Sequence, residues 1–198
     1  FTGRIHERLS YINKKKNVKT ISITAETLTI FHTGYSRGIN RQKAERNLQL
    51  LVNELFESET PEDLFPYLAE TYAGLGDFEK AERFGVLDIA FGRKMNTIAS
   101  KSYRVLIQIF MEQDDHFIDR YAVTKLAVKN FPEIPEFYAD LGEIYGQLGQ
   151  IEKCIEFLEQ SLKVWKKYDP NKFVERSDFS DESARIVRDR IKMWKSKL

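Results

Sequence analysis

Tyr67-Leu68-Ala69-Glu70-Thr71-Tyr72-Ala73-Gly74-Leu75-Gly76-Asp77-Phe78-Glu79-Lys80-Ala81 and Ala139-Asp140-Leu141-Gly142-Glu143-Ile144-Tyr145-Gly146-Gln147-Leu148-Gly149-Gln150-Ile151-Glu152-Lys153-Cys154 are two versions of one pattern. Leu68, Ala69, Tyr72, Gly76 and Ala81 fall opposite Leu141, Gly142, Tyr145, Gly149 and Cys154. The shared order is apolar, small, Tyr, Gly at a turn, then small again. In a pair of packed helices each position has a task. The small residue lets the second helix cross closely, the Tyr fills the space between them, and the Gly ends the first helix. Repetition of this kind decides the architecture before any single helix is assigned, because each unit buries its apolar face against its neighbours.

The pattern resembles the tetratricopeptide repeat. The fold expected from it is mainly α, a right-handed solenoid of stacked helix pairs (an α-α superhelix) preceded by a short β-rich segment. The two clear repeats lie 73 residues apart, tyrosine to tyrosine, whereas two periods of about 34 would give about 68. One degenerate repeat with a small insertion is therefore expected between them. Helices fit residues 62–74, 78–91, 98–112, 116–130, 135–147 and 151–165, with breaks at Asp77, Asp114-Asp115, Pro132 with Pro135, and Gly149. Ahead of them, residues 41–57 place Ala44, Leu48, Leu51 and Leu55 on one face. Thr60-Pro61-Glu62-Asp63 stops that helix and caps the next. After Asp169-Pro170-Asn171, Ser180-Asp181 opens a last helix with Ala184, Val187, Ile191 and Trp194 on one side, a candidate for the cap that ends a repeat array.

The 198 residues suffice for one sizeable core or for a repeat array without a single centre. Lysine and arginine number 31 against 30 aspartates and glutamates, a net charge of +1, which gives no support for nucleic acid as the main partner. The single cysteine forbids an internal disulfide and suits a reducing, cytoplasmic setting. No apolar run approaches the roughly 20 residues of a membrane span, and no signal peptide is visible. The chain opens on Phe1 and is expected to be a piece of a longer protein.

The first 40 residues differ from the rest. Val18-Lys19-Thr20-Ile21-Ser22-Ile23-Thr24 alternates apolar and polar over much of its length, and Leu28-Thr29-Ile30-Phe31-His32 is β-branched and aromatic. Both read as strands, too few to stand alone, so residues 1–40 are expected to be the β-rich tail of an upstream domain, with 41–168 the repeats and 169–198 a linker and capping helix. Lys14-Lys15-Lys16-Asn17 reads as a solvated loop tip, with phosphate binding as the sharper alternative.

In a stacked array the first helix of each pair lines the binding face. By repeat position Asp63, Pro66, Glu70 and Ala73 are expected there from the first clear repeat, and Glu136, Ala139, Glu143 and Gly146 from the last. Such a face is rich in small residues and mildly acidic. It lacks the Lys and Asn clamp that similar repeats use on a terminal carboxylate. A basic or neutral peptide would suit it; alternatively it packs on the rest of the protein or on a second copy in a homodimer. Phe65, Tyr72, Phe84, Tyr138, Tyr145 and Phe157 sit at repeat core positions and read as packing. Cys154 reads as a buried structural thiol, and His116, beside Asp114-Asp115, as a first-turn residue with weak metal spacing.

Two histidine motifs remain. They are Gly3-Arg4-Ile5-His6-Glu7-Arg8-Leu9 and Ile30-Phe31-His32-Thr33-Gly34-Tyr35, the second followed by Lys43-Ala44-Glu45-Arg46-Asn47-Leu48-Gln49-Leu50-Leu51. His6 with Glu7 sets a titratable imidazole beside a carboxylate, and His32 follows a strand end. In this order, ahead of the repeats, the motifs resemble the C-terminal part of bacterial family 2 glycosyltransferases. The resemblance implies a parent enzyme whose GT-A-like domain binds a nucleotide sugar and a divalent metal (Mn or Mg). It further implies that His32 completes the metal or diphosphate site and that His6 and Glu7 line the same catalytic cleft. This chain carries neither the Asp-x-Asp metal motif nor the nucleotide-binding strand–helix units of that family. It is therefore expected to need no cofactor of its own and to be inactive alone, its repeats positioning an acceptor or holding a protein partner. A non-enzymatic adaptor that recruits a peptide is the alternative.

Overall fold

The computed structural model describes residues 37–92, 99–170 and 177–198. The expected strands, His6, Glu7, His32 and the lysine-rich tip lie outside them. Among the described residues every regular element is helical: α1 (Arg37–Glu57), α2 (Phe65–Leu75), α3 (Phe78–Phe91), α4 (Lys101–Met111), α5 (Phe117–Asn130), α6 (Pro135–Gln147), α7 (Ile151–Trp165) and α8 (Asp181–Lys195). Each helix packs on the next in sequence, and α2 also touches α4, as stacked pairs require. The short turns within the pairs α2–α3 and α6–α7 make each an antiparallel hairpin.

The two clear repeats agree down to single bonds. Gly76 (φ 81°) and Gly149 (φ 71°) take the left-handed conformation that stops α2 and α6. Beyond them the Asp77 amide donates to the Tyr72 carbonyl at 3.0 Å, and the Gln150 amide to the Tyr145 carbonyl at 2.9 Å. Tyr72 stacks on Phe84 with ring centres 5.7 Å apart, and Tyr145 on Phe157 at 5.2 Å. Lys80 and Lys153 each stand 5.2 Å over the same tyrosines.

Where the expected helix 62–74 begins, the structure differs. Pro61–Leu64 is a 3-10 turn, and α2 starts at Phe65. Pro66 has no N–H to donate four residues back, so the first turn tightens instead of continuing an α ladder. Thr60 does not cap through its side chain; its hydroxyl donates to Asp63 at 2.7 Å. Helix α1 begins at Arg37, inside the stretch read as the β-rich tail.

The core is distributed along the array rather than gathered at one centre. Ala69, Ala81 and Leu106 pack together beneath α2, α3 and α4; Tyr103, Ala127 and Phe137 beneath α4, α5 and α6. Leu141, Cys154 and Leu158 join Phe179, Val187 and Ile191 of the C-terminal segment. Helix α8 thereby closes the end of the array. Ser180 caps it, accepting from the Ser183 amide at 3.2 Å, while Arg185, Arg188 and Asp189 keep its outer side in water.

Candidate functional site

Two hollows open on the side formed by the first helices of the pairs. The first, about 370 Å³, lies over α2 and α4 and is lined by Glu70, Ala73, Lys101, Arg104 and Gln108. The second, about 490 Å³, lies between α6 and α8, with Arg120 of α5 and Met111 at its edge. Asp178, just before α8, lines both, so the two are neighbours on one face.

Helix α4 supplies what the repeat signature could not. It belongs to the degenerate repeat, whose lost Tyr–Gly signature left no positions to assign. Its apolar residues Tyr103, Leu106 and Phe110 go inward, so Lys101, Arg104 and Gln108, at helical spacing, turn the other way. Lys101 Nζ meets Glu70 at 2.8 Å. Arg104 donates from Nε and Nη2 to one oxygen of Glu136, at 3.0 and 2.8 Å, and from Nη1 to Ser100. Arg104 and Glu136 are each 17% exposed, so this pair ties α4 to α6 where water screens it weakly. The other Glu136 oxygen accepts from the Ser177 hydroxyl, and the Ser177 amide donates to Tyr168 at 2.7 Å. The segment leading to α8 is thus pinned on the face itself. The face expected to be mildly acidic thus also carries two cations, Lys101 and Arg104, from the repeat whose signature is lost, each paired with a carboxylate.

Of the residues assigned to this face, Glu70 and Ala73 line the first hollow, and Glu136, Ala139 and Glu143 the second. Asp63 stands exposed in the 3-10 turn beyond both hollows, and Pro66 is buried. Gly146 is buried too. A Cβ there would stand 2.7 Å from the Trp194 ring and 3.2 Å from Cys154 Sγ, so this glycine is packing space for α8.

The second hollow holds an unusual carboxylate. Asp140 is half-buried, and burial pushes its carboxyl up to about 6, against the pull of Arg120 and with the push of Glu136 and Glu143. Such an acid costs stability wherever it is ionised in the fold. The cost is full above about pH 6, shrinks as pH falls, and vanishes below the ordinary value of 3.8. Asp140→Asn is therefore expected to stabilise the chain at pH 7 by about 2 kcal/mol and to leave it unchanged at pH 3.5, as urea titrations at the two pH values would measure. A variant less stable than the parent at pH 7 would refute this account.

Other titratable groups read as structural. Burial raises the Cys154 thiol to about 11. His116 stacks flat on Phe110 with ring centres 5.2 Å apart and contacts Asp119 at 3.1 Å. Among the described residues no group of three His, Cys, Asp or Glu is placed to hold a metal, and no helix is long and apolar enough to cross a membrane.

The family described as tetratricopeptide repeat matches residues 135–164, which are α6 and α7. No curated protein matches the chain. The chain thus contains a helix pair of tetratricopeptide type within a consecutively packed helical array, and such repeats serve protein–protein contact in general.

Proposed function

We propose that this chain is a protein-binding repeat module forming the C-terminal region of a cytoplasmic family 2 glycosyltransferase, with the hollowed face over α2, α4 and α6 receiving an acceptor protein or partner. The observation that carries the binding role is the line of charged side chains on that face. Lys101, Arg104, Glu136 and Glu143 are held in place by partners on different helices, which presents a preorganised polar surface at little ordering cost. The enzymatic parentage rests on the two histidine motifs and the Arg46-Asn47-Leu48 helix. In that parent His6 and Glu7 would line the catalytic cleft. His32 would join the metal, which supplies charge stabilisation for a departing nucleoside diphosphate.

The parentage is tested on the full native polypeptide with manganese and a panel of nucleotide sugars. Binding or slow hydrolysis of one donor, lost in His32→Ala, is the expected result. A native chain that neither binds nor hydrolyses any of them sinks it. An adaptor without catalysis is the second reading, in which the repeats alone supply the binding face through pairs such as Lys101–Glu70 and Arg104–Glu136. Under it, a peptide partner binds the 198-residue chain with an affinity that His6→Ala and His32→Ala leave untouched.

A further inference from the structure

The hollow between α6 and α8 contains groups that the described residues do not satisfy. Arg120 is 7% exposed, its Nε has no hydrogen-bond partner among the described residues, and Nη1 reaches Gln147 at a long 3.5 Å. Asp140 accepts no hydrogen bond from the described residues. Buried donors in native folds are almost always paired, so the buried Arg120 Nε points to a ligand that brings an acceptor, and the half-buried Asp140 carboxylate beside it offers that ligand's donor a partner. A peptide does this with its carbonyl and a cationic side chain.

The rim narrows the class of peptide. Met111 and Ile186 stand at the edge, 56% and 52% exposed, an apolar seat for one side chain. Among the charges lining the hollow, Arg120 and Arg190 face Glu136, Asp140, Glu143 and Asp178. Glu136 is already engaged by Arg104 and Ser177, and Arg190 lies 3.8 Å from Glu143. Arg120 then stands against both Asp140 and Asp178, which leaves an excess of one negative charge, so an acidic ligand would meet like charge and a basic one would meet its complement.

We propose that this hollow docks a peptide segment carrying a Lys or Arg beside an apolar residue, with the apolar side chain between Met111 and Ile186, the cation at Asp140 and a backbone carbonyl at Arg120. This rests on the reading of the chain as a protein-binding module and names its partner's chemistry. The raised Asp140 carboxyl agrees with it: burial disfavours the charge there, and a bound cation would favour it.

Terminally blocked, fluorescein-labelled nonapeptides on a Gly-Ser frame, with central pairs Leu-Lys, Leu-Glu, Ser-Lys and Leu-Ser, test this by anisotropy on the 198-residue chain. Leu-Lys is expected to bind tightest, about tenfold ahead of Leu-Glu. Asp140→Asn removes the preference for Lys over Ser while the protein stays folded by circular dichroism. Ile186→Ser, at an exposed position, weakens every Leu peptide about fivefold. Leu-Lys binding also falls between pH 7.5 and 5 in the parent and stays level in Asp140→Asn; no histidine lines the hollow to mimic that change. Peptides that bind without favouring Lys, or a Lys preference that survives in Asp140→Asn, overturn the partner class and leave the binding module standing. No binding of any of the four overturns both.

Discussion

Leu158→Ala is expected to lower the unfolding free energy by about 3–4 kcal/mol, and Gly142→Ala, made in that background, to cost less than it does alone. Leu158 is 0% exposed, and its truncation leaves a cavity at the crossing of α6 and α7. The space over Gly142 is filled by this same side chain. A Cβ at residue 142 would stand 2.9 Å from Leu158 Cγ, 3.0 Å from Cδ2 and 3.2 Å from the Cys154 carbonyl oxygen. Alone, Gly142→Ala gains helix propensity but forces a closely packed crossing apart, for a net loss of about 1–2 kcal/mol. With Leu158 shortened, most of the obstruction is gone and only the carbonyl remains. Urea titrations on the four proteins should give a coupling of about 1 kcal/mol or more. Additivity within about 0.5 kcal/mol would mean that the helices part as bodies and that Leu158 does not hold the crossing.

Removing the cap has the second large effect. A chain ending at Tyr168 lacks Phe179, Ala184, Val187, Ile191 and Trp194, which cover Tyr145, Cys154, Ile155 and Leu158. Each large apolar side chain lost from such a cluster withdraws about 1.5–3 kcal/mol of burial, partly offset by the ordering entropy of α8, so the truncated chain should lose about 4–6 kcal/mol. The clearer readout is Cys154. Its thiol is 0% exposed in the intact protein and raised to about 11 by burial, so it should react with a disulfide reagent through global unfolding alone. Without α8 the reaction should proceed in the folded chain at a rate independent of urea at low concentration. A thiol still protected after truncation would show that α6 and α7 bury it unaided, and the capping role of α8 would fall.

Much of the fold was legible because its determinants are short-range. The bounds of α3, α6 and α7 match the sequence reading at both ends. Asp77 and Gly149 act at the hydrogen bonds of one turn and need no distant partner. The 3-10 entry to α2 was missed because Thr60-Pro61-Glu62-Asp63 satisfies the usual start signals while Pro66, four residues after Glu62, breaks the ladder. The candidate site was legible in part. Glu70, Ala73, Glu136, Ala139 and Glu143 follow from repeat position; Lys101 and Arg104 do not, since their repeat lost its signature, and the burial of Arg120 on α5 has no local signal in the sequence. The residues assigned to the parent's metal and catalytic cleft lie outside the described residues.

The sequence by itself determined that this protein is an array of helix pairs, where the turns fall in its two clear repeats, and that a helix beginning at Ser180 would close it. Those features arise from side chains acting on their own backbone within a turn or two, so they are written wherever the residues are. Only the tertiary structure decided which charges meet and which are left over. Arg104 finds Glu136 from 32 residues away. Trp194 takes the space over Gly146, and Asp140 is half-buried without a hydrogen-bonded partner among the described residues. Each of these depends on how far one helix stands from another, which is set by the summed packing of three neighbouring pairs and the cap and by no single stretch of the chain.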